Sequence, residues 1–264
     1  MMPPPISEQP RTRLEAVLGF DRAAAIVLLV LLSAVCWLWI VVLARDMYGP
    51  MDGASAWMMT LHWDLPHLAL LWAMWAVMMT AMMLPTALPF ILLYGTAARR
   101  SARAGAARDV YALAAGYLAV WSAFSLGATA LQRGLAQLLL ISPMMEMTST
   151  RAAAAILILA GAYQFTPLKH ACLRACQSPM TFLMGRWRGG TSGAFRMGIE
   201  HGWMCVGCCW ALMLLLFVGG VMNLTVIAAL TALVAFEKLA PFGAHSARVS
   251  GGLLTAAGVW LLIR

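Results

Sequence analysis

The chain has 264 residues, 62% of them hydrophobic and 11% charged, with a mean hydropathy of +0.82. An ordinary soluble domain is closer to half apolar and a quarter charged, and one soluble core cannot enclose this much apolar surface. Soluble enzyme folds are set aside on that ground. The formal net charge of +8 reads as basic loops facing anionic lipid; the basic residues are scattered and form no recognised nucleic-acid motif, so no nucleic-acid partner is expected.

The first residues, MMPPPISEQPRTR, are polar and Pro-rich and read as a short cytoplasmic arm over 1–22. The apolar run Ala23–Leu43 is long enough to cross a bilayer and reads as a retained first helix, without an evident Ala-x-Ala-like cleavage site. A second run, His67–Tyr94, contains Pro85 and Pro89 and is expected to kink toward its end. A third covers Val110–Leu131. The stretch Gln132–Thr148, broken by Pro143, is expected as an interfacial helix. The fourth run, Ala152–Leu168, is read as continuing through Cys176 beyond a kink at Pro167. Ile199–Val218 is the fifth, and a turn over Gly219–Asn223 leads into the sixth, Leu224–Ala240. The last, Gly251–Ile263, is about 20 Å long at helical rise, so it spans only with tilt, flanking residues or local thinning.

These runs predict an all-α transmembrane bundle, 23–264 as one domain, with seven spans and the N-terminus cytoplasmic; six spans is the alternative. Of the 18 basic residues, only Arg45, Arg133, Arg151 and Arg264 then lie outside, in keeping with the positive-inside rule. The expected location is a bacterial cytoplasmic membrane, with membrane lipids as the first partner.

The densest chemistry is Gly198–Trp210, GIEHGWMCVGCCW. In a helix, His201, Cys205 and Cys208 follow i, i+4, i+7 and share a face, with Cys209 at its edge. Such a stripe is nearly linear, so a complete shell needs ligands from another helix. Tyr163–Cys176, YQFTPLKHACLRAC, offers Cys172 and Cys176 at i, i+4 with His170 nearby, and charge bias puts both clusters at the cytoplasmic face. Thiolate and imidazole suit soft or borderline ions, copper or zinc first and iron or haem behind them. Cys172, Cys176, Cys205 and Cys208 can form a tetrahedral set, with His170 or His201 replacing one. The ordinary role of any one such cysteine is packing as a small hydrophobe. Glu200 needs a partner, a proton or a polar cavity within an apolar helix; it is read either as orienting His201 or as paired with Lys169 or Arg196. Gly198 and Gly202 have the spacing that allows close helix packing.

On the second helix, Met74, Met78 and Met82 share one face, and Met79 and Met83 extend another. Met78 and Met82 are candidate soft-metal contacts, although packing around Pro85 is the more ordinary use of such a stripe. The outer segment with Asp46, Met47, Met51, Asp52, Met58, Met59, His62, Asp64 and His67 reads either as a solvated loop or as a low-affinity metal port. Asn223 reads as a turn residue, and Glu237 and Lys238 as the boundary of the sixth helix. No Walker A, Rossmann, HExxH or GxSxG pattern occurs, and no catalytic residue follows from the sequence.

The segments Trp75–Pro85 (WAVMMTAMMLP), Tyr163–Cys176 and Gly198–Trp210 together resemble the DUF2182 family of metal-binding integral membrane proteins. The resemblance implies a membrane protein with a metal role and leaves the metal and any reaction open. Three functional classes remain at this level: a soft-metal protein handling copper or a similar ion for transport or delivery, with a membrane-protein partner or metallochaperone; a structural or assembly subunit of a larger membrane complex; and a membrane redox enzyme or haem-binding subunit. A CxxCH attachment for c-type haem is absent.

Overall fold

A computed structural model describes residues 22–49, 54–58, 63–100 and 105–264. The arm over 1–21 lies outside the described residues, as do Met51, Asp52, Met59 and His62 of the outer segment. The described residues form eleven helices: α1 Arg22–Met47, α2 Ala54–Met58, α3 Leu65–Arg100, α4 Ala106–Gln137, α5 Thr150–Tyr163, α6 Pro167–Gln177, α7 Pro179–Arg186, α8 Thr191–Met213, α9 Leu215–Gly219, α10 Leu224–Leu239 and α11 Gly243–Ile263. The protein is an all-α, multi-spanning membrane protein.

Five helical segments are long and apolar enough to cross a membrane: Ile26–Met47, Leu65–Arg99, Ala106–Gln137, Thr191–Gly219 and Gly243–Ile263. A sixth is added if α5 and α6, bent by 64°, count as one span. Seven is not the number the described residues support. The expected sixth crossing is α10, only 16 residues or about 24 Å at helical rise, short of the ~30 Å hydrocarbon core. The run expected to be too short is instead the C-terminal part of the 21-residue α11, because Gly243–Ser250 extends the helix through residues of moderate polarity.

Local sequence explains the ends and bends. Pro167 stands in the first turn of α6, where its missing N–H costs nothing, and the Thr166 side chain caps the helix by accepting from the Lys169 N–H. Ser149 caps α5 by accepting from Ala152, and Asn223 caps α10 by accepting from Thr225 and Val226. Between α4 and α5 there is no interfacial helix. Pro143 interrupts the backbone donors, Leu139 and Met145 adopt left-handed φ values of 57° and 59°, and an isolated antiparallel bridge pairs Ile141 with Met147.

The helix α3 runs continuously through Pro85 and Pro89. Pro85 has no N–H for the Ala81 carbonyl one turn earlier. That carbonyl instead accepts from Ser33 Oγ at 3.4 Å and Trp37 Nε1 at 3.2 Å, both on α1. A freed carbonyl in an apolar bundle is thus satisfied by a neighbouring helix.

The centre of the bundle is α8. In the most hydrophobic window of each span, 61% of the α8–α9 segment is buried, against 28% for α1 and 17% for α11. The GxxxG pair explains how α8 is received. A Cβ on Gly198 would overlap the Leu113 carbonyl of α4, one on Gly202 would sit 2.9 Å from Val120 Cβ, and one on Gly116 would overlap the Phe195 carbonyl. The small residues bring α4 and α8 into near backbone contact within one chain.

Candidate metal centre

Four helices converge on the sulfur-rich stretch of α8. Cys205, Cys208 and Cys209 are all buried. The thiols of Cys208 and Cys209 donate back to the Cys205 carbonyl at 3.1 and 3.0 Å, which pins them beside the helix axis. From α3, Met83 places its sulfur 4.0 Å from the Cys209 sulfur. From α6, the half-buried Cys176 interacts with both Cys205 and Cys208. From α4, the Tyr117 hydroxyl lies 3.0 Å from the Cys205 sulfur and donates to the Met83 carbonyl at 3.1 Å.

The fourth visitor is a cation. Lys238 of α10 is buried, with Nζ 2.9 Å from the Cys205 sulfur, 3.4 Å from Thr86 Oγ1 and 3.7 Å from the Met83 sulfur. The register follows from the turn at Gly219–Asn223. Cys205 lies as many residues before Gly219 as Lys238 lies after Leu224, so two helices leaving the turn in company reach the same depth. That depth is near the middle of the Thr191–Gly219 segment, not at its end.

Glu237, next to Lys238, is turned to another set of partners. Its carboxylate accepts from Lys169 Nζ at 2.6 Å and from Gln164 Nε2 at 2.9 Å, with Ser250 Oγ at 3.2 Å. Lys169 is thus occupied by Glu237 and not by Glu200. Glu200 pairs with Arg186 at 3.2 Å and Arg188 at 3.0 Å, side chains that α7 and the following loop bring across its helix.

The remaining sequence candidates lie around this set: His201 borders it, 5.9 Å from Tyr117 between ring centroids and within electrostatic reach of Cys205, Cys208 and Lys238, and Cys172 is within electrostatic reach of Cys208. Cys172 packs under Gly207, where a Cβ would stand 2.8 Å from the Cys172 sulfur. His201 is stacked on Phe90 at 4.1 Å between ring centroids, with Phe182 edge-on at 5.5 Å, and its buried Nδ1 has no hydrogen-bond partner. His170 is half-buried and faces the charges of Arg248, Lys169, Arg174 and Glu237. Met78 and Met82 are fully buried on α3, but the methionine sulfur that meets the thiols is that of Met83. In the outer segment His67 Nε2 meets the Met58 carbonyl at 3.1 Å, and Asp46 accepts from Ser55.

Among the described residues no group of three or more His, Cys, Asp or Glu side chains has a metal-holding arrangement. The four cysteines of the expected tetrahedral set are thus not gathered into such an arrangement, with the Cys172 sulfur packed against Gly207. What the helices gather is a sulfur set, Cys176, Cys205, Cys208, Cys209 and the Met83 thioether, beside a phenol and an ammonium. Thiolate and thioether donors without carboxylates favour soft ions, Cu(I) above all, over hard cations.

Three residues at this centre were not singled out as site residues from sequence. Tyr117 carried no motif signal. In the sequence Lys238 reads as a helix boundary, although a lysine beside a glutamate at the end of an apolar helix is itself a sign of buried charge. Met83 shows in the sequence only as part of a second methionine face.

The PpoB2 family, described as a copper chaperone, matches residues 72–261. This stretch includes most of α3, all of α4, the bent pair α5–α6, α8 and α10, and hence every residue of the sulfur cluster and its Tyr117 and Lys238 neighbours. The match overturns the assignment to DUF2182: the segments that carried that resemblance all fall within the PpoB2 match. No curated protein and no solved structure matches the chain. Over most of its length the chain belongs to the PpoB2 copper-chaperone family.

Proposed function

We propose that this protein carries Cu(I) as cargo within the membrane and delivers it to a membrane-protein partner or a metallochaperone, in a bacterial cytoplasmic membrane. The observation that carries the reading is the approach of the Met83 thioether to the Cys209 thiol at 4.0 Å, with the Cys205 thiol and Met83 sulfur both facing Lys238 Nζ inside the bundle, in a chain of a copper-chaperone family. Cu(I) accepts low coordination numbers, so two thiolates with a thioether suffice where a tetrahedral zinc site would need four ligands. In this reading Cys205, Cys209 and Met83 hold the ion, and Cys176 and Cys208 stand beside it as exchange ligands. His201, Cys172 and His170 serve packing or electrostatic surroundings, as do Met78 and Met82.

Tyr117 has one hydroxyl hydrogen and two neighbours. With a neutral Cys205 it donates to the Met83 carbonyl and can accept from the thiol; with a thiolate or a metal-bound sulfur it can turn to donate to Cys205. The hydroxyl can thereby follow the state of the sulfur without moving a helix. Thiols that are held by hydrogen bonds to a carbonyl and a phenol, and not by a closed shell, suit a carrier that must release its ion.

The test uses the full chain in mild detergent under reducing, oxygen-free conditions, titrated with Cu(I) against a chromogenic chelator. The wild type is expected to bind Cu(I) stoichiometrically, and Cys205→Ser with Cys209→Ser to weaken binding by at least roughly tenfold. Equal binding by the folded double variant and the wild type overturns the proposal.

A further inference from the structure

Buried lysines in apolar helices are rare and almost always paired. Lys238 is only 5% exposed, and the carboxylate nearest in sequence, Glu237, is committed to Lys169, Gln164 and Ser250 on the other side of α10. The atoms that face Lys238 Nζ are the Cys205 and Met83 sulfurs and the Thr86 hydroxyl. Tyr117, Cys208 and Cys209 add to its electrostatic surroundings, and the buried His201 is also within electrostatic reach. His201 is the one of these that can carry a positive charge; the others are neutral or, as thiolates, negative, and with a neutral imidazole the balance is set by the thiolates and the ammonium.

We propose that Lys238 fixes the charge of the cargo, so that the sulfur cluster accepts a monovalent soft ion and rejects a divalent ion of similar softness. The inference rests on the reading of the cluster as a metal-handling site. Two thiolates, one ammonium and one monovalent ion sum to zero. The same ligands with a divalent ion leave a net positive charge buried inside the bundle, where an uncompensated charge is costly. Without the ammonium the preference inverts: two thiolates neutralise a divalent ion and leave a monovalent complex with a net negative charge. Softness selects against calcium and magnesium; the lysine adds selection by charge among ions that sulfur alone would not separate.

The experiment uses Ag(I) and Cd(II), both sulfur-seeking and differing in charge, with the full chain in detergent and the bound ions measured by elemental analysis. The wild type is expected to take up Ag(I) and to exclude Cd(II). In Lys238→Met and Lys238→Gln the Ag(I)-to-Cd(II) preference should fall by at least about a hundredfold, a conservative scale for a unit charge a few ångströms away in a protein interior. Lys238→Arg should preserve it. If neither neutral variant folds, the wild type decides: Cd(II) bound as tightly as Ag(I) overturns the inference. Cu(I) binding by the wild type with an unchanged preference in a folded neutral variant overturns this inference alone. Failure of the wild type to bind either Cu(I) or Ag(I) overturns it together with the proposed function.

Discussion

Lys169 Nζ lies 2.6 Å from Glu237 Oε2, joining α6 to α10 where neither side chain meets solvent. Gln164 bridges the same carboxylate to Ser250 of α11, and Gln177 donates to the Glu237 carbonyl at 2.7 Å. The pair therefore ties together the second half of the bundle and holds α10 at the rotation that turns Lys238 toward the thiols.

Removing one partner should cost far more than removing both. Glu237→Gln leaves the Lys169 ammonium buried without its counter-charge and should destabilise the protein by about 3–5 kcal/mol. Lys169→Met combined with Glu237→Leu should recover much of that loss. Thermal unfolding in detergent of both single variants and the double variant measures the difference, and simple additivity would contradict the buried-pair account.

At the α4–α8 crossing, Gly198→Ala should cost about 1–3 kcal/mol by overpacking, because its methyl meets the rigid Leu113 carbonyl. Gly127→Ala, on the same α4 with open space around its Cβ position, should be neutral or slightly stabilising. The comparison of the two unfolding temperatures separates close packing from a general intolerance of α4 and α8 to alanine.

The Ala81 carbonyl gives a test with a rescue. Ser33→Ala with Trp37→Phe strips both α1 donors from it and should cost about 1–3 kcal/mol. Pro85→Ala restores the backbone N–H that α3 lacks, so the same α1 double variant should cost less in that background. Stability measured for all four combinations checks this; an undiminished loss would mean that the α1 donors act through packing alone.

Thr166 holds the corner between α5 and α6. Thr166→Ala removes the acceptor for the Lys169 N–H and should cost about 0.5–2 kcal/mol, with Thr166→Ser close to wild type. Because α6 carries Cys176, amide exchange over 167–177 should rise in the alanine variant. Unchanged protection there would argue that the Lys169–Glu237 pair alone fixes the helix.

Helix existence was legible in the sequence wherever an apolar run was long. The bend at Pro167, the turn residue Asn223 and the sulfur face of α8 each rest on interactions within a few residues, which the sequence states directly; that Asn223 also caps α10 comes from the structure. Elements that depend on other helices were not legible in the same way. Gln132–Thr148 looks apolar enough for an interfacial helix, but Pro143 and two left-handed residues turn it into a bridged loop. The length of α11 was underestimated because Ala247 and Ser250 are buried against other helices, which lets a less apolar turn continue the helix.

The composition by itself determined a membrane bundle: the apolar surface leaves no other solvent for these helices, and the sulfur-rich motifs restrict the chemistry to soft ligands. Tertiary structure alone decided which sulfurs meet. A helix period places Cys172 and Cys176 on one face, yet only the rotation of α6 against α8 turns Cys176 toward Cys205 and leaves Cys172 under Gly207. Likewise only the register of α10 from its turn brings Lys238 to the depth of Cys205, a relation between residues far apart in sequence that no local pattern encodes.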